Sequence, residues 1–363
     1  MLKKYIISIT YRCSLRYLAL AEWITDSKRR HQSAKKRKIM TTKEKLLALF
    51  EQNKGEYISG ETIAEKLSVS RAAVWKAVNS LREDGYGIDA VTNKGYCLSA
   101  DTDILSSQGI QKYLSPECAA LEIHTLSEVT STNTLLREKA DSGISEGYVL
   151  AADSQTAGRG RMGRAWNSPS GTGIYMSLLL RPHGITPEET TKLTPMAAVA
   201  VCEAIETAAG KKAGIKWVND IFLDGKKVCG ILTEASFSME SGQADFVIVG
   251  VGINAYMPDG GFPEDISHIA GCVYDVRVSD GKNKLAAGFL NNFWKYYISK
   301  DTGYTQKYRE SSIAIGKEIT VITAAGNRKA TALDVDDGCA LLVRYEDGRK
   351  ERLISGEISI RIS

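Results

Sequence analysis

Residues 158–166 constrain this chain more than any other segment of similar length. They hold three glycines, three arginines and one tryptophan. Glycine lets backbone N–H groups approach a ligand closely, and arginine supplies a permanent charge with forked donors for carboxylate or phosphate oxygens. This composition predicts a loop that folds over an anionic small molecule, with a solvated basic loop as the plain alternative.

The glycine spacing also matches G-x-G-x-x-G, the pattern of dinucleotide-binding folds, and a strand is predicted just before it. That pattern requires a helix to begin at the glycines. Residues 167–171 are instead Asn-Ser-Pro-Ser-Gly, which is typical of a turn. The sequence therefore argues against a Rossmann fold.

The chain has 363 residues, which is long enough for two or three domains. No apolar run approaches the length of a membrane span. The seven cysteines contain no C-x-x-C, and the four histidines show no metal-ligand spacing. We therefore expect a protein of the reducing cytoplasm with no metal site built from its own side chains and no membrane association.

The N-terminal 39 residues differ in charge from the rest of the chain. They contain eleven lysines and arginines against Glu22 and Asp26, whereas a clear helix start follows Met40. We expect residues 1–39 to be a disordered basic extension. A nucleic-acid-binding arm is the functional alternative.

Residues 40–103 predict a winged helix-turn-helix domain. Apolar spacing indicates helices over 46–50 and 60–67. Ser70 stands where an N-cap belongs, because its hydroxyl can accept from the free N–H groups that open a third helix, Arg71–Glu83. Two short strands around Asn93-Lys94 predict the wing.

The solvent face of the third helix carries side chains able to reach phosphates and base edges. Arg82 lies on this face as well. A protein-binding domain is the alternative, since three-helix modules with a charged face also bind proteins. With the N-cap and the wing tip, the predicted DNA-binding residues are Ser70, Arg71, Trp75, Lys76, Asn79 and Lys94.

Residues 104–314 show a mixed α and β pattern. We expect one helix to have Thr194 as its N-cap, Pro195 at its first position and Gly210 at its end. Leu285, Phe289, Phe293 and Tyr296 line a last long helix. Strands are predicted at 148–153, 173–180 and 246–251, and a shorter helix at 134–140.

Lys216 lies in the first strand of an expected hairpin, in which 215–218 pairs with 228–232 across Asp224-Gly225. A lysine in an apolar strand is expensive to bury unless it meets an anion, although a lysine on a solvent-facing side is the ordinary alternative. Residues 131–133 and Gln155 add neutral donors and acceptors for a polar ring. No nucleophile or general base is evident, so the set suits adenylation, in which ATP activates a carboxylate by positioning and electrostatics.

The C-terminal residues 315–363 predict a compact SH3-like barrel. Their pattern is one of short strands with frequent turns. The strands are predicted at 318–322, 330–333, 340–343 and 351–354, and the turns at Gly326-Asn327, Asp337-Gly338 and Asp347-Gly348.

These motifs together make the sequence resemble a known family, the bifunctional biotin–protein ligases that also act as biotin-operon repressors. The resemblance covers about residues 41–363. It rests on Ser131-Thr132-Asn133, 155–164, Lys216-Trp217-Val218-Asn219-Asp220, 227–232, 250–254 and 356–361. It implies an α+β multidomain fold with a winged helix-turn-helix at 40–103, a biotin/lipoate-ligase-like catalytic domain at 104–314 and an SH3-like domain at 315–363. The family often has proline where Val218 stands.

The resemblance also implies roles for individual residues. Arg161 would clamp the biotin carboxylate and then the phosphate, and Lys216 would bridge the two as the second catalytic residue. Biotin would be bound by Ser131, Thr132, Asn133, Gln155, Arg159, Gly160, Arg161 and Lys216. ATP or the adenylate would be bound by Gly158, Arg164, Trp166, Asn219, Asn254, Glu357 and Arg361.

The implied activity has two steps. Biotin reacts with ATP, supplied with Mg²⁺, to give biotinyl-5′-AMP, and a lysine of a biotin carboxyl carrier protein or domain then displaces AMP. The adenylate would also be a corepressor that favours a homodimer bound to operator DNA. A lipoate–protein ligase and a biotin-sensing regulator without ligase activity are the alternatives. Gln155 and the 158–164 segment favour biotin, and Arg161 with Lys216 favours an enzyme.

Overall fold

The computed structural model describes residues 40–323 and 326–360. The predicted basic extension and Arg361 lie outside these residues. The N-terminal domain is built from three helices and a hairpin. They are α1 (Thr42–Gln52), α2 (Gly60–Leu67), α3 (Arg71–Glu83), β1 (Ile88–Val91) and β2 (Gly95–Leu98).

The N-terminal domain confirms the predicted winged helix-turn-helix. The Ser70 hydroxyl accepts from the backbone N–H of Ala73 at 3.2 Å and so caps α3. The buried side of α3 holds Val74, Ala77, Val78 and Leu81. Arg82 is a correction, because its guanidinium donates to the carbonyl of Ile88 at 2.7 Å and fastens α3 to the wing.

The central domain is organised around a seven-stranded sheet in the order β3-β4-β5-β9-β8-β7-β6. Only β3 and β4 run parallel to each other. The strands are β3 (Glu122–Val129), β4 (Tyr148–Gln155), β5 (Gly173–Leu180), β6 (Gly214–Lys216), β7 (Asp220–Leu223), β8 (Lys226–Phe237) and β9 (Ala244–Asn254).

Helices cover both faces of this sheet. The helices of the domain are α4 (Ser107–Gln111), α5 (Thr132–Asp141), α6 (Pro187–Thr190), α7 (Leu193–Ala209), α8 (Glu264–Ser267), α9 (Gly281–Ser299) and α10 (Tyr304–Glu310). One face buries Leu178 and Leu180 of β5 under α7 and α9. The other buries Leu179 against Leu136 of α5. Successive side chains point to opposite faces, so β5 is buried along its whole length.

Two local predictions in the central domain are wrong. Helix α7 begins at Leu193, not after Thr194, and the Thr194 hydroxyl donates to the Thr233 hydroxyl at 2.8 Å instead of capping the helix. The strand at 214–216 pairs with β7, and it is β7 that pairs with β8 across Asp224-Gly225. The turn was predicted correctly, but the intervening strand was missed. Gly210 ends α7 with φ 66°, as expected.

The C-terminal domain is a five-stranded antiparallel sheet, consistent with the predicted SH3-like fold. Its order is β13-β12-β11-β10-β14. The strands are β10 (Glu318–Thr323), β11 (Gly326–Val335), β12 (Leu341–Tyr345), β13 (Lys350–Leu353) and β14 (Glu357–Ile360). Gly326 and Asn327 are not a turn, because they pair with Thr323 and Ile322.

A buried polar cluster joins the N-terminal domain to the central domain. Asp280 is 2% exposed and accepts from Lys54 at 2.5 Å, Tyr113 at 2.7 Å and Lys112 at 3.1 Å. Burial by itself would raise the pKa of Asp280, but these donors hold it below its ordinary value. Glu51 of α1 lies in the same cluster. Its carboxylate oxygens are buried and have no hydrogen-bond partner within the described residues.

Candidate active site

A cavity of about 230 Å³ opens on the face of the central sheet that carries α5. The side chains that β9 places on this face of the sheet explain why the cavity is open. Phe246 and Ile248 of β9 pack against α5, whereas the next two positions on that face are Gly250 and Gly252. The cavity is lined by Ser131, Thr132, Asn133, Gln155, Arg159, Gly160, Arg161, Arg164, Trp166, Lys216, Asn219, Asn254 and Glu357. The structure thus brings these separate motifs together.

Trp166 lies on a glycine floor. Gly230 and Gly252 are cross-strand partners, and a Cβ on Gly252 would stand 2.4 Å from the Trp166 indole nitrogen. The Lys227 ammonium lies over the Trp166 ring, 5.4 Å from its centre. The indole N–H of Trp166 is buried with no partner among the described residues. It is therefore a donor available inside the cavity.

Gly158 was predicted to bind the nucleotide, but it is not among the described residues that line the cavity. A Cβ there would lie 2.3 Å from the Trp166 carbonyl oxygen. The backbone N–H of Trp166 donates to the Gly158 carbonyl at 2.9 Å. Gly158 thus lets the two ends of the loop approach each other.

The end of the cavity near α5 is neutral and polar. The Gln155 side-chain oxygen accepts from the Thr132 backbone N–H at 2.9 Å, and its amide nitrogen donates to the Ser168 hydroxyl at 2.9 Å. The Ser177 hydroxyl lies 2.7 Å from the Thr132 hydroxyl. The Ser131 side chain is buried and makes no hydrogen bond within the described part of the chain. Its hydroxyl remains available to a ligand.

The opposite side of the cavity is cationic. Arg161 donates to the Asn219 side-chain oxygen at 3.0 Å, and Asn219 in turn donates to the Ile231 carbonyl at 3.0 Å. Asn219 therefore positions Arg161 with both ends of its amide. Lys227 pairs with Asp220 at 2.6 Å. These cations suit an anionic ligand.

Lys216 is a half-buried ammonium at the end of β6. Within residues 40–323 and 326–360 it makes no ion pair, and its nearest described aromatic contact is Phe222, whose ring centre is 5.9 Å away. Burial lowers the pKa of Lys216 below its ordinary value of 10.5, and Asp220 opposes that shift. A desolvated, unpaired cation is a strong site for an anion.

Two ion pairs hold the 158–166 loop at its edges. Arg164 donates to both carboxylate oxygens of Glu357, at 2.7 and 2.8 Å. Arg159 pairs with Glu234 of β8 at 3.1 Å. The Arg159 guanidinium is therefore turned away from the other cations of the cavity. The sequence predicts that the Arg159 cation converges with Arg161 and Lys216 on the ligand and that the Arg159 backbone is a donor. The first expectation is wrong, because the guanidinium pairs with Glu234, although Arg159 does line the cavity.

An apolar wall completes the cavity. Phe262, Ile266 and Ile269 belong to the segment around α8, and they line the cavity beside Asn254. Asn254 donates to the Gly271 carbonyl at 3.0 Å, which ties this segment to the end of β9. Such a wall suits the flat face of an aromatic base.

Several of these residues were missed by sequence reasoning. Ser177, Ser168 and Glu234 have no motif of their own. Ser177 and Glu234 reach the site through pairing between strands, and Ser168 lies in the segment between the 158–166 loop and β5. Asp220 and Lys227 lie inside recognised motifs, but nothing in their spacing indicates that they pair. A charged residue at position 234, at the end of an apolar strand, was the one available signal.

The predicted DNA-binding residues form a separate surface on the N-terminal domain. The Trp75 side chain is 57% exposed, and Ser70, Arg71, Lys76 and Lys94 are also exposed. Asn79 is half-buried. At the wing, the Lys94 ammonium lies 5.8 Å from the centre of the Tyr57 ring.

Known proteins share this arrangement of domains. The chain is 37% identical over 328 residues to the bifunctional ligase/repressor BirA of Bacillus spizizenii, and the match covers 88% of this chain and 99% of that protein. The chain belongs to the bifunctional biotin–protein ligase/repressor family. BirA of Escherichia coli is another family member, 33% identical over 87% of this chain and 96% of its own length.

Three family models place the domains along the chain. The biotin/lipoate A/B protein ligase family matches residues 126–254, an HTH domain matches 42–97, and the biotin protein ligase C terminal domain matches 314–361. The biotin protein ligase of Aquifex aeolicus, solved in complex with biotin and ATP, aligns with a TM-score of 0.56 and 29% identity. That alignment covers 67% of this chain and all but 1% of the other.

These matches confirm the predicted family, fold class and ligase class. In the part of the chain that the structure describes, no helix has both the length and the apolar character needed to cross a bilayer. The same residues contain no group of three or more histidine, cysteine, aspartate or glutamate side chains able to hold a metal ion.

Proposed function

We propose that this chain joins biotin to ATP in the cavity, forming biotinyl-5′-AMP and pyrophosphate. It then transfers biotin to the ε-amine of a lysine on a biotin carboxyl carrier protein or domain. One observation carries the proposal. A neutral polar end, with the free Ser131 hydroxyl, and a cationic side, with Arg161 and Lys216, line one cavity.

The neutral end suits the ureido ring of biotin, which has one carbonyl and two N–H groups. Ser131 and Gln155 face it with donors and acceptors, and Thr132 and Asn133 complete the ring's surroundings. The backbone N–H of Arg159 is a further donor, whereas the Gly160 N–H, also expected to bind biotin, already donates to the Arg164 carbonyl at 2.7 Å.

The cationic side suits the reacting groups. Arg161, held by Asn219, would clamp the biotin carboxylate and later the adenylate phosphate. Lys216 would neutralise charge that develops between the carboxylate oxygen and the α-phosphorus while pyrophosphate leaves. Its lowered pKa reflects a poor aqueous environment, in which an added anion is strongly stabilised.

The remaining predicted residues would hold the nucleotide. Trp166 and the apolar wall would enclose the adenylate, while Arg164, Asn219, Asn254 and Glu357 would bound its polar edge. Enclosure would also slow hydrolysis of the mixed anhydride. In the second step the carrier amine attacks the acyl carbon, and AMP leaves with the electrons of the broken C–O bond.

Mg²⁺ would arrive with ATP as part of the substrate. The described residues offer no ready-made metal cage, and Mg²⁺ ordinarily takes substrate phosphates, water and one or two carboxylates. Asp220 lines the cavity and would supply such a carboxylate. Asn219 would lie beside the same phosphates.

The ligase reaction has a direct test. Purified protein is incubated with biotin, Mg-ATP and a carrier domain, and the mass of the carrier domain is measured by mass spectrometry. A mass gain equal to one biotin on one lysine supports the proposal. Lipoate in place of biotin is the matched control, and modification by lipoate alone would refute the biotin assignment.

The N-terminal domain supports a second activity, repression of biotin genes in the cytoplasm. In this proposal biotinyl-5′-AMP orders the 158–166 loop and favours a homodimer, and the two recognition helices bind a palindromic operator. Sedimentation with and without the adenylate, followed by a DNA-shift assay, tests the idea. DNA binding of equal affinity with and without biotinyl-5′-AMP would overturn this proposal.

A further inference from the structure

We propose that Glu234 is a positioning residue of the ligase site. In this proposal, which rests on the proposed function, its carboxylate holds both Asn133 and the 158–166 loop in the geometry that retains the adenylate. None of the motifs that carry the ligase chemistry includes it. It lies on β8, two residues after Leu232, on the cavity face of the sheet.

Three donors from two different segments converge on this one carboxylate. The Asn133 amide nitrogen lies 2.9 Å away, the Arg159 guanidinium 3.1 Å and the Arg137 guanidinium 3.5 Å. The Glu234 side chain is only 16% exposed. A carboxylate accepts and does not donate, so it dictates which way each neighbour points.

Asn133 shows the consequence most clearly. Because Glu234 accepts only, the Asn133 amide must turn its nitrogen toward it, and that nitrogen also lies 3.3 Å from the Leu232 carbonyl. Its oxygen therefore accepts from the Ser177 hydroxyl at 2.6 Å. Gly250 is packed against that oxygen, where a Cβ would stand 2.2 Å away. The buried amide is thus locked in one orientation.

The same carboxylate anchors the arginine loop. Inside the loop, the Gly160 N–H donates to the Arg164 carbonyl at 2.7 Å and the Trp166 backbone N–H donates to the Gly158 carbonyl at 2.9 Å, so hydrogen bonds join the two halves of the loop into one unit. Arg159–Glu234 fastens one edge of that unit to the central sheet, and Arg164–Glu357 fastens the other edge to the C-terminal domain. Losing either ion pair releases one edge of the 158–166 loop.

Two variants separate these effects. Glu234→Gln keeps an acceptor near Asn133 but removes the charge that holds Arg159. Glu234→Ala removes both. Exposed Glu138 on α5 has no described ion pair in the site, so Glu138→Gln is the matched control. Thermal melting of each variant reports whether the fold is intact.

The measurements are the loss rate of preformed biotinyl-5′-AMP and the KM for biotin. In Glu234→Gln we expect adenylate loss to rise about fivefold with little change in KM, as for a partly exposed ion pair. In Glu234→Ala we expect the KM for biotin to rise as well, about tenfold, since a buried amide loses its partner. An unchanged loss rate in a folded Glu234→Gln protein would overturn the proposal.

Arg159→Ala provides a second, independent variant. It should raise adenylate loss about as much as Glu234→Gln, and combining the two should add little further. Multiplying effects would show that Glu234 does not act through Arg159, which also overturns the proposal. If the wild-type protein forms no biotinyl-5′-AMP, the proposed function fails instead, so the two failures are distinguishable.

Discussion

Arg164 and Glu357 form a two-pronged ion pair although 193 residues separate them in the sequence. One belongs to the loop over the cavity and the other begins β14 of the C-terminal domain. The C-terminal domain therefore supplies part of the wall of the candidate active site. This contact gives that domain a physical reason to affect ligase chemistry.

Removing this pair should weaken retention of the nucleotide. We expect Glu357→Gln to raise the KM for ATP about two- to fivefold, a small effect because the Arg164 side chain is 64% exposed. Steady-state pyrophosphate release measures it. Glu351→Gln, which breaks the surface pair with Arg349 in the same domain, should leave the KM unchanged. Equal effects of the two variants would contradict a role at the cavity.

Lys216 and Lys282 should respond oppositely to replacement by methionine. The buried Lys282 ammonium pairs with Asp153 at 3.3 Å, so Lys282→Met leaves a carboxylate unpaired and lowers the melting temperature. Lys216→Met removes a desolvated charge and should keep or raise the melting temperature. It should also slow adenylate formation about 100-fold or more. Calorimetry and pyrophosphate release measure the two effects, and full activity in Lys216→Met would contradict its catalytic role.

The lowered pKa of Lys216 also predicts a sign for the pH dependence of stability. Between the folded pKa and the ordinary value of 10.5, the unfolded chain binds the proton more tightly. Stability contributed by this group therefore rises with pH across that window, and the contribution disappears in Lys216→Met. Comparing unfolding of the two proteins at pH 8 and pH 10 measures it. A difference that runs the other way would contradict the burial argument.

Gly252→Ala should disturb the site without disturbing the fold. Its Cβ would overlap the Trp166 indole, which must then leave the glycine floor. We expect weaker biotin binding and a shift in tryptophan fluorescence, with a melting temperature close to that of wild type. Gly60→Ala, where the nearest atom is an ordinary 3.6 Å away, is the control. Unchanged fluorescence in Gly252→Ala would show that Trp166 does not rest there.

Glu51→Gln should stabilise the junction between the N-terminal and central domains at neutral pH. Burial raises the pKa of Glu51 above 4.5, with Lys54 opposing the shift. The folded protein then holds the proton more tightly, so stability falls as pH rises from 4.5 through the folded pKa. The melting temperatures of wild type and Glu51→Gln should converge at acidic pH. A constant gap would contradict an ionisable origin.

Lys94→Ala should weaken operator binding through lost phosphate contact. One phosphate contact corresponds to a decrease of about one in the slope of log affinity against log salt. Titrations of labelled operator DNA at several salt concentrations give the slope. Lys295→Ala, on the exposed side of α9, should leave it unchanged, and ligase activity should be normal in both variants.

Local signals predicted the N-terminal domain well. Helix capping by Ser70, the apolar stripe of α3 and the turn at the wing depend on residues a few positions apart, so they are visible in a linear pattern. The 158–166 loop was recognisable for the same reason. Its glycines and arginines stand side by side, and together they predicted a cover over an anion.

Longer-range choices were less visible. Thr194 has the chemistry of an N-cap, but a partner on β8 takes its hydroxyl and the helix begins earlier. The predicted strand pairing within 214–232 was wrong because no strong turn signal precedes β7 in the sequence. Glu234 reaches Asn133 across 101 residues, and no pattern in the chain announces that contact.

Motifs in the sequence indicated the three-part organisation and the family resemblance, and that resemblance implied thirteen of the residues that line the cavity. Only the tertiary structure decided which partner each of those residues binds. Arg161 donates to Asn219, Arg164 pairs with Glu357, and Arg159 pairs with Glu234. The reason is physical: residue type sets what a side chain can donate or accept, whereas its partner is set by strand register and packing between segments far apart in sequence.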